Sequence, residues 1–161
     1  MRPPFKKVSS PNFTRGKDRK ITCVVIHSTA TSGLASPLEW LTLPKSKVSA
    51  HYLIDKDGSI YGLVAEKDVA WHAGESFWQE QAHVNNFSIG IELVNPNDGS
   101  EYPKAQLSAL LELCFSICRD YGIGASNVVG HCDIALGRKT DPAGFPWEEF
   151  YAELIQRGIG P

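Results

Sequence analysis

The sequence has no long apolar run. Its first continuous apolar stretch, Ile21 to Ile26, contains the polar residue Thr22 and is shorter than the roughly 7–15 residues of a secretory signal's hydrophobic region. No segment approaches the roughly 20 apolar residues that a membrane-spanning helix needs. We therefore expect a chain that has neither an export signal nor a membrane span and is cytoplasmic as synthesised.

Cysteine is also scarce, with four residues in a chain of 161. Cys23 and Cys132 lie in strand-like runs, whereas Cys114 and Cys118 are four residues apart in a helical pattern. These positions argue against the disulfide framework of small secreted domains. We expect free, buried cysteines.

The net charge is small, at −2 with an isoelectric point near 6.2, which argues against a dedicated nucleic-acid or membrane-surface protein. The charge is uneven, because residues 1–20 carry seven basic side chains and only one acidic side chain, Asp18. We interpret residues 1–20 as a solvated basic lead-in. The length and apolar content suit one domain that spans residues 1–161.

Strand and helix patterns alternate along the chain, without a repeat or a low-complexity linker. Five segments have the pattern of strands: 21–26, 50–54, 59–63, 88–94 and 127–131. Three segments have the pattern of helices: 37–43, 103–121 and 146–156. An Asp57-Gly58 turn predicts that the second and third strands form a hairpin. The sequence therefore predicts an α/β fold with a central mixed β-sheet flanked by helices.

Two histidines stand at the ends of predicted strands. His27 follows the first strand and His131 ends the last, so the two imidazoles meet at one sheet edge if these strands are parallel neighbours. Asp141 and Asp133 compete for the role of a third ligand, and spacing leaves that choice open. Cys132 would point to the opposite face of a continuing strand. Two imidazoles and a carboxylate suit Zn²⁺, and three protein ligands leave one position free, as in catalytic zinc sites.

Two charged residues could act beside such a metal. Glu92 interrupts an apolar strand, where a carboxylate must be paired, solvated or functional. It is either a general base for the attacking water or a member of a structural salt bridge. Lys139 lies in the same short loop as Asp141 and can supply positive charge to an oxyanion.

An aromatic loop follows the predicted hairpin. Trp71 and His72 precede a small Ala73-Gly74 turn, and Phe77 and Trp78 come soon after. This composition suits stacking on sugar or peptide faces, although core packing would explain either tryptophan alone. We interpret His72 as a residue of a substrate-facing loop.

Five ordered motifs resemble one family. They occupy Val24–Ala30 (VVIHSTA), Val48–Ile54 (VSAHYLI), Ala70–Gly74 (AWHAG), Asn86–Leu93 (NFSIGIEL) and the loop Gly130–Pro142. In this order they are similar to the type 2 N-acetylmuramoyl-L-alanine amidases, a family of zinc enzymes. The family includes AmpD-like and AmiD-like amidases and is related to phage amidase endolysins and peptidoglycan recognition proteins. The similarity spans nearly the whole chain.

The resemblance implies hydrolysis of the amide bond between the lactyl group of N-acetylmuramic acid and the L-alanine of the stem peptide. By position, it implies that His27, His131 and Asp141 bind one Zn²⁺ per chain at the sheet edge. Glu92 matches the catalytic carboxylate, and Lys139 matches the lysine that stabilises the tetrahedral intermediate. The positions that fall in the substrate groove are Ser28, Thr29, Trp71, His72 and Asn86.

The same resemblance discriminates between alternatives. Asp133 matches no ligand position, so the aspartate ligand is expected to be Asp141. Some relatives replace that aspartate with cysteine and only bind peptidoglycan. Because Asp141, Glu92 and Lys139 are all present, we expect an enzyme, with a non-catalytic peptidoglycan- or muropeptide-binding module as the alternative. A zinc hydrolase of some other amide fits the tryptophan loop less well.

Two biological roles remain open. One is a cytoplasmic enzyme that recycles cell-wall fragments, and the other is a phage endolysin released to the cell wall at lysis. The basic residues 1–20 would favour an anionic wall and so the second role. The expected partner is peptidoglycan or a soluble muropeptide, with neither nucleic acid nor membrane, and the expected state is a monomer.

Overall fold

The computed structural model describes all 161 residues. Ten strands are present: β1 Lys6–Lys7, β2 Phe13–Thr14, β3 Cys23–Ser28, β4 Tyr52–Ile54, β5 Ile60–Gly62, β6 Val69–Ala70, β7 Phe77–Trp78, β8 Gln81–Ala82, β9 Ser88–Leu93 and β10 Val128–Gly130. Four α-helices are present: α1 Ala35–Thr42, α2 Lys104–Tyr121, α3 His131–Ile134 and α4 Trp147–Gln156. None of the helices combines the length and apolar character that crossing a bilayer requires.

The central sheet has six strands in the order β1-β5-β4-β9-β3-β10. Strands β4, β9, β3 and β10 run parallel to one another, whereas β5 is antiparallel to β4 and parallel to β1. The sheet is therefore mixed, as predicted. The predicted hairpin between β4 and β5 is confirmed, and so is the parallel pairing of β3 with β10.

The two faces of this sheet bury different groups, because side chains alternate along a strand. In β3, Val24 and Ile26 belong to a core cluster of 23 buried residues that α2 and α4 cover. Cys23 and Val25 point the other way and join a smaller apolar cluster. His27 follows them on that second face, opposite α2. The larger core therefore packs against one face of the sheet, and the polar side chain of His27 lies on the other face.

Helix α2 follows the predicted apolar stripe. Its buried side chains include Leu110, Leu113, Cys114 and Ile117, and it ends at Gly122 in the left-handed conformation, with φ +68°. All four cysteines are free, as predicted; Cys23, Cys114 and Cys118 are buried, and Cys132 is half-buried.

Residues 1–20 are ordered on the domain, although five of their seven basic side chains are exposed to solvent. Strand β1 pairs with β5 at the edge of the central sheet, and β2 pairs with β6. The buried Ser10 hydroxyl donates to Leu41 O over 2.6 Å, and the buried Asn12 amide donates to Leu43 O and Val48 O over 2.9 Å each. These bonds satisfy carbonyl groups around the end of α1, which is why the segment is ordered against it.

The start of the chain is fixed by a half-buried carboxylate. Arg2 binds Glu66 through two bonds of 2.5 and 2.7 Å, and the hydroxyls of Tyr52 and Tyr121 donate to the same carboxylate over 2.6 and 2.8 Å. Burial alone would raise the pKa of Glu66, but the bonds from Arg2, Tyr52 and Tyr121 outweigh it and lower that pKa below its ordinary value. The ionised carboxylate therefore stabilises the folded state.

We expect Glu66→Gln to lower the free energy of unfolding at pH 7 by about 1–3 kcal/mol, as for other charged hydrogen bonds. Folding lowers the pKa of Glu66. The extra stability of the wild type over the variant is therefore complete at pH values above 4.5, the pKa of Glu66 in the unfolded chain. It is lost as the pH falls through the lower pKa of Glu66 in the folded protein. Chemical denaturation at a series of pH values measures this difference.

Glu112→Gln is the matched control. Glu112 pairs with Arg157 over 2.5 Å, but the Glu112 side chain is 52% exposed, so its loss should change stability by no more than about 1 kcal/mol. An effect of Glu66→Gln that is equally small, or that does not depend on pH, would contradict the assigned role of Glu66.

Candidate metal centre and its cleft

Three side chains converge at the carboxyl edge of the central sheet. His27 lies within β3, which extends one residue beyond it, and His131 begins α3 directly after β10. Gly130 is in register with Ile26, so His131 follows at the level of His27. Asp141 returns to the same point through the loop after α3. The structure therefore brings together the two histidines and the later of the two candidate aspartates.

The spacing of the three ligand atoms fits a zinc ion. His27 Nδ1 lies 3.0 Å from His131 Nδ1, and Asp141 Oδ2 lies 3.4 Å and 3.2 Å from these two nitrogens. Ligand atoms in a tetrahedral site with bonds of about 2.0–2.1 Å are roughly 3.3 Å apart. All three residues are buried. The donor set and its geometry therefore suit zinc with a fourth position free.

Asp133 lies outside this group for a local reason. The chain turns into helix α3 after β10, so the alternation of a continuing strand does not apply to residues 131–133. Asp133 Oδ2 accepts the Gly130 N–H over 2.7 Å and stabilises the start of that helix. Cys132 donates its backbone N–H to Asp141 O over 2.9 Å, and its thiol takes no part in the metal cluster.

The two imidazoles present the same nitrogen to the centre. His131 Nε2 lies 3.1 Å from the carbonyl oxygen of Ala73, and His27 Nε2 lies 2.9 Å from Nδ1 of His72. A carbonyl oxygen can only accept, so His131 carries its proton on Nε2 and keeps a lone pair on Nδ1. Outer partners of this kind fix the ring orientation of histidine ligands.

The protonation states also suit a metal. Burial, opposed in part by the carboxylate of Asp141 and reinforced by the neighbouring His131, lowers the pKa of His27 to about 4, so this imidazole is neutral at pH 7. Burial alone would raise the pKa of Asp141, but the adjacent imidazoles of His131 and His27 outweigh it and hold that pKa well below the usual range. Neutral histidines and an ionised carboxylate are the forms that bind metal.

Glu92 lies beside His27 on the neighbouring strand β9, in direct register. Burial raises the pKa of Glu92 to about 8, the negative charge of Asp141 adds to the shift, and Lys139 opposes it. Its Oε2 atom is buried without a hydrogen-bond partner, and the residue makes no ion pair. A salt-bridged structural role is therefore excluded. A half-buried carboxyl group with a raised pKa suits proton transfer.

The metal centre opens into a cleft of about 440 Å³. Among the residues expected at the site, the cleft is lined by His27, Ser28, Thr29, Trp71, His72, Glu92, His131, Lys139 and Asp141. Asn86 is exposed and does not line the cleft. Its neighbour Asn85 holds the aromatic loop instead, since its Oδ1 accepts the N–H groups of His72 and Ala73 over 3.1 and 2.8 Å.

Three further residues shape the cleft although no sequence motif pointed to them. Tyr102 donates to Ala143 O over 3.1 Å and lies 2.7 Å from the Ser28 hydroxyl, so it joins the end of β3 to the loop after Asp141. Arg138 donates to Ala73 O over 2.8 Å. Trp40, on α1, is 56% exposed and lines the cleft. Trp40 lies in the predicted helix 37–43, and its exposure is the one signal that could have marked it.

A comparison with known families decides the family of the chain. The N-acetylmuramoyl-L-alanine amidase family, Amidase_2, matches residues 17–144. The chain belongs to this family. The match contains all five motifs of the sequence and every residue of the metal cluster, which confirms the resemblance.

Individual relatives agree with this assignment. The chain is 40% identical over 160 residues to the N-acetylmuramoyl-L-alanine amidase AmiD of Escherichia coli K12, covering 88% of this chain and 54% of AmiD. A crystal structure of a selenomethionine AmpD derivative superposes with a TM-score of 0.80 at 33% identity, covering 92% and 93% of the two chains. The chain spans just over half the length of the curated relatives it matches.

A solved complex provides a further comparison. The E. coli AmiD structure with its substrate anhydro-N-acetylmuramic acid-L-Ala-D-gamma-Glu-L-Lys superposes with a TM-score of 0.78 at 39% identity. That superposition covers 88% of this chain and 59% of AmiD. The α/β fold with a central mixed sheet is thus the fold of the AmpD and AmiD structures.

Asp141→Asn should lower zinc affinity by at least about 100-fold, because removal of a partner outside the ligand shell alone costs 10–100-fold. The matched control is Asp133→Asn, which alters the nearby helix start and should keep one zinc per chain. Elemental analysis and chelator competition measure both variants. Equal zinc affinity in Asp141→Asn and wild type would remove Asp141 from the ligand set.

Proposed function

We propose that this chain is a zinc-dependent N-acetylmuramoyl-L-alanine amidase. In this proposal it hydrolyses the amide bond between the lactyl group of N-acetylmuramic acid and the L-alanine of the stem peptide. The observation that carries the proposal is the position of Glu92, a half-buried residue whose Oε2 atom is buried without a hydrogen-bond partner, beside a three-ligand centre that opens into a cleft. Family membership and the AmpD and AmiD relatives support the same reaction.

His27, His131 and Asp141 would hold one Zn²⁺ per chain. Zinc bound there supplies Lewis acidity to the scissile carbonyl and to the attacking water. The three residues line the cleft, so a metal held by them would be open to water and to the scissile carbonyl group. Ser28 and Tyr102 hold the end of β3 against the loop that follows Asp141, so the ligand geometry is maintained when substrate enters.

Glu92 would take a proton from the attacking water and then deliver it to the leaving amine. Its raised pKa, about 8, suits both steps, because the group can gain and lose a proton near neutral pH. Lys139 lines the same cleft and would offset the negative charge that develops on the carbonyl oxygen. Glu92 and Lys139 both line this cleft, and the charge of Lys139 opposes the rise in the pKa of Glu92.

The cleft suits a sugar attached to a short peptide. Trp40 and Trp71 offer aromatic faces on which a sugar ring can stack, while Thr29 and Lys139 offer polar contacts. We extend the substrate role to Ser28, Thr29, Trp71 and His72, which line the cleft, with Thr29 and Trp71 best placed; Asn86 lies outside the cleft lining and is left out of this role. One chain supplies every residue of the site, so a monomer suffices.

Glu92→Gln should lower turnover by about 10²–10⁴-fold, the range typical for loss of a general base, while zinc content stays near one per chain. Gln keeps the shape of Glu but cannot accept the proton. Release of the L-alanine-terminated peptide, together with elemental analysis, measures both properties. Substrate binding with no turnover in wild-type protein would instead favour the peptidoglycan-binding module.

Wild-type protein should release the peptide from soluble anhydro-N-acetylmuramyl tripeptide, the kind of substrate present in the AmiD complex. Activity should disappear with a chelator and return with added zinc. The same assay on intact sacculi distinguishes the two roles, because a recycling enzyme prefers the soluble fragment and a wall-degrading enzyme the sacculus. Failure to cleave either substrate with zinc bound would refute the amidase proposal.

A further inference from the structure

A chain of buried hydrogen bonds extends from His27 away from the metal centre. His27 Nε2 lies 2.9 Å from His72 Nδ1, and His72 Nε2 lies 3.1 Å from the Ser88 hydroxyl. That hydroxyl donates to the carbonyl oxygen of Val84 over 2.7 Å. His27, His72, Ser88 and Val84 are all buried, so water does not compete for these bonds.

The donor and the acceptor of each hydrogen bond follow from the Val84 carbonyl at the end of the chain of bonds. The Val84 carbonyl can only accept, so it takes the single hydroxyl proton of Ser88. The Ser88 oxygen must then accept from His72, whose proton therefore lies on Nε2. A neutral imidazole has one N–H, so His72 Nδ1 is an acceptor and His27 Nε2 is the donor. This leaves His27 Nδ1 with a bare lone pair, and Nδ1 is the atom that faces His131 and Asp141.

We infer that His72 and Ser88 are positioning residues that set the tautomer of His27, so that its Nδ1 is free to bind zinc. This inference rests on the proposed zinc site. It assigns His72 a function different from contact with substrate. The backbone of the next residue sets the tautomer of His131, since Ala73 O accepts a hydrogen bond from Nε2 of His131.

Strand β9 is shaped to admit the ring of His72. A Cβ atom at Gly90 would lie 2.4 Å from Cγ and 2.6 Å from Nδ1 of His72, which is closer than carbon atoms can approach. Only glycine therefore leaves room for the imidazole to lie flat against the strand. The ring of His72, held against β9, therefore gives a steric reason for glycine at position 90.

Two substitutions at His72 distinguish the effect of its hydrogen bond to His27 from the effect of its packing. His72→Phe keeps a ring but removes the acceptor, whereas His72→Asn places an amide oxygen near the position of Nδ1 and can still accept from His27. We expect zinc affinity to fall by about 10–100-fold in His72→Phe and to recover largely in His72→Asn. Chelator competition with zinc measures the affinity.

Imidazole ¹⁵N NMR of the metal-free protein gives a second, independent measurement. Wild-type His27 should carry its proton on Nε2, and His72→Phe should give a mixture of both tautomers. Ser88→Ala should allow His72 to carry its proton on either ring nitrogen. It should weaken zinc binding by a smaller factor than His72→Phe does. Ser116→Ala is its matched control, because Ser116 is also buried and donates to the carbonyl of Leu113, far from the histidines, and it should change neither property.

The outcomes are distinguishable from failure of the amidase proposal. A wild-type His27 tautomer with the proton on Nδ1 would overturn the inference, whether or not zinc binds. So would wild-type zinc affinity in folded His72→Phe, or equal losses in His72→Phe and His72→Asn. A protein that binds zinc in this pattern but cleaves no muropeptide would leave the positioning role intact and refute only the proposed activity.

Discussion

The site depends on the parallel register between β3 and its two neighbours. With Val25 opposite Gly90 and Val129, the same alignment places His27 opposite Glu92 and brings His131 in directly after Gly130. Because side chains alternate along a strand, a slip of one residue would turn Glu92 into the apolar core. The packing of α2 behind the sheet opposes any slip, since it would expose Ile89 and Ile91, both fully buried.

The loop between β6 and β7 is the second requirement, because it supplies the outer partners of both histidines. His72 meets His27 through its side chain, whereas Ala73 meets His131 through its backbone carbonyl. Asn85 holds this segment by accepting two consecutive backbone N–H groups. A change in that loop would therefore alter both imidazoles together, although neither lies in the loop.

The central elements could be predicted because their patterns are local. The buried run of β3, the hairpin at Asp57-Gly58 and the apolar stripe of α2 each follow from periodicity and turn residues. The contacts of residues 1–20 could not, because Ser10 and Asn12 find their partners around α1, about 30 residues away. Basic composition says nothing about such long-range hydrogen bonds, and so the segment looked solvated.

The same distinction applies within the site. Glu92 stands out in the sequence because it interrupts an apolar strand, and His27 because it directly follows one. Both signals are local and can be read without knowledge of the fold. The choice between Asp133 and Asp141 was different, since it depends on whether the chain continues as a strand after Gly130. The structure has a helix there, whose first turn uses the Asp133 carboxylate. Strand periodicity could not have detected that change.

Burying so many polar groups on one face is costly unless each has a partner. His27, His72, Ser88 and His131 all find one within the protein, whereas Oε2 of Glu92 does not. A buried polar atom without a partner is destabilising by about 1–3 kcal/mol, and the large apolar core on the other face can offset that. The unsatisfied atom is the one beside the open side of the metal centre. The hydrogen bonds of His27, His72, Ser88 and His131 hold the histidines in place, whereas the carboxylate oxygen without a partner belongs to a residue that lines the cleft, where substrate and water would arrive.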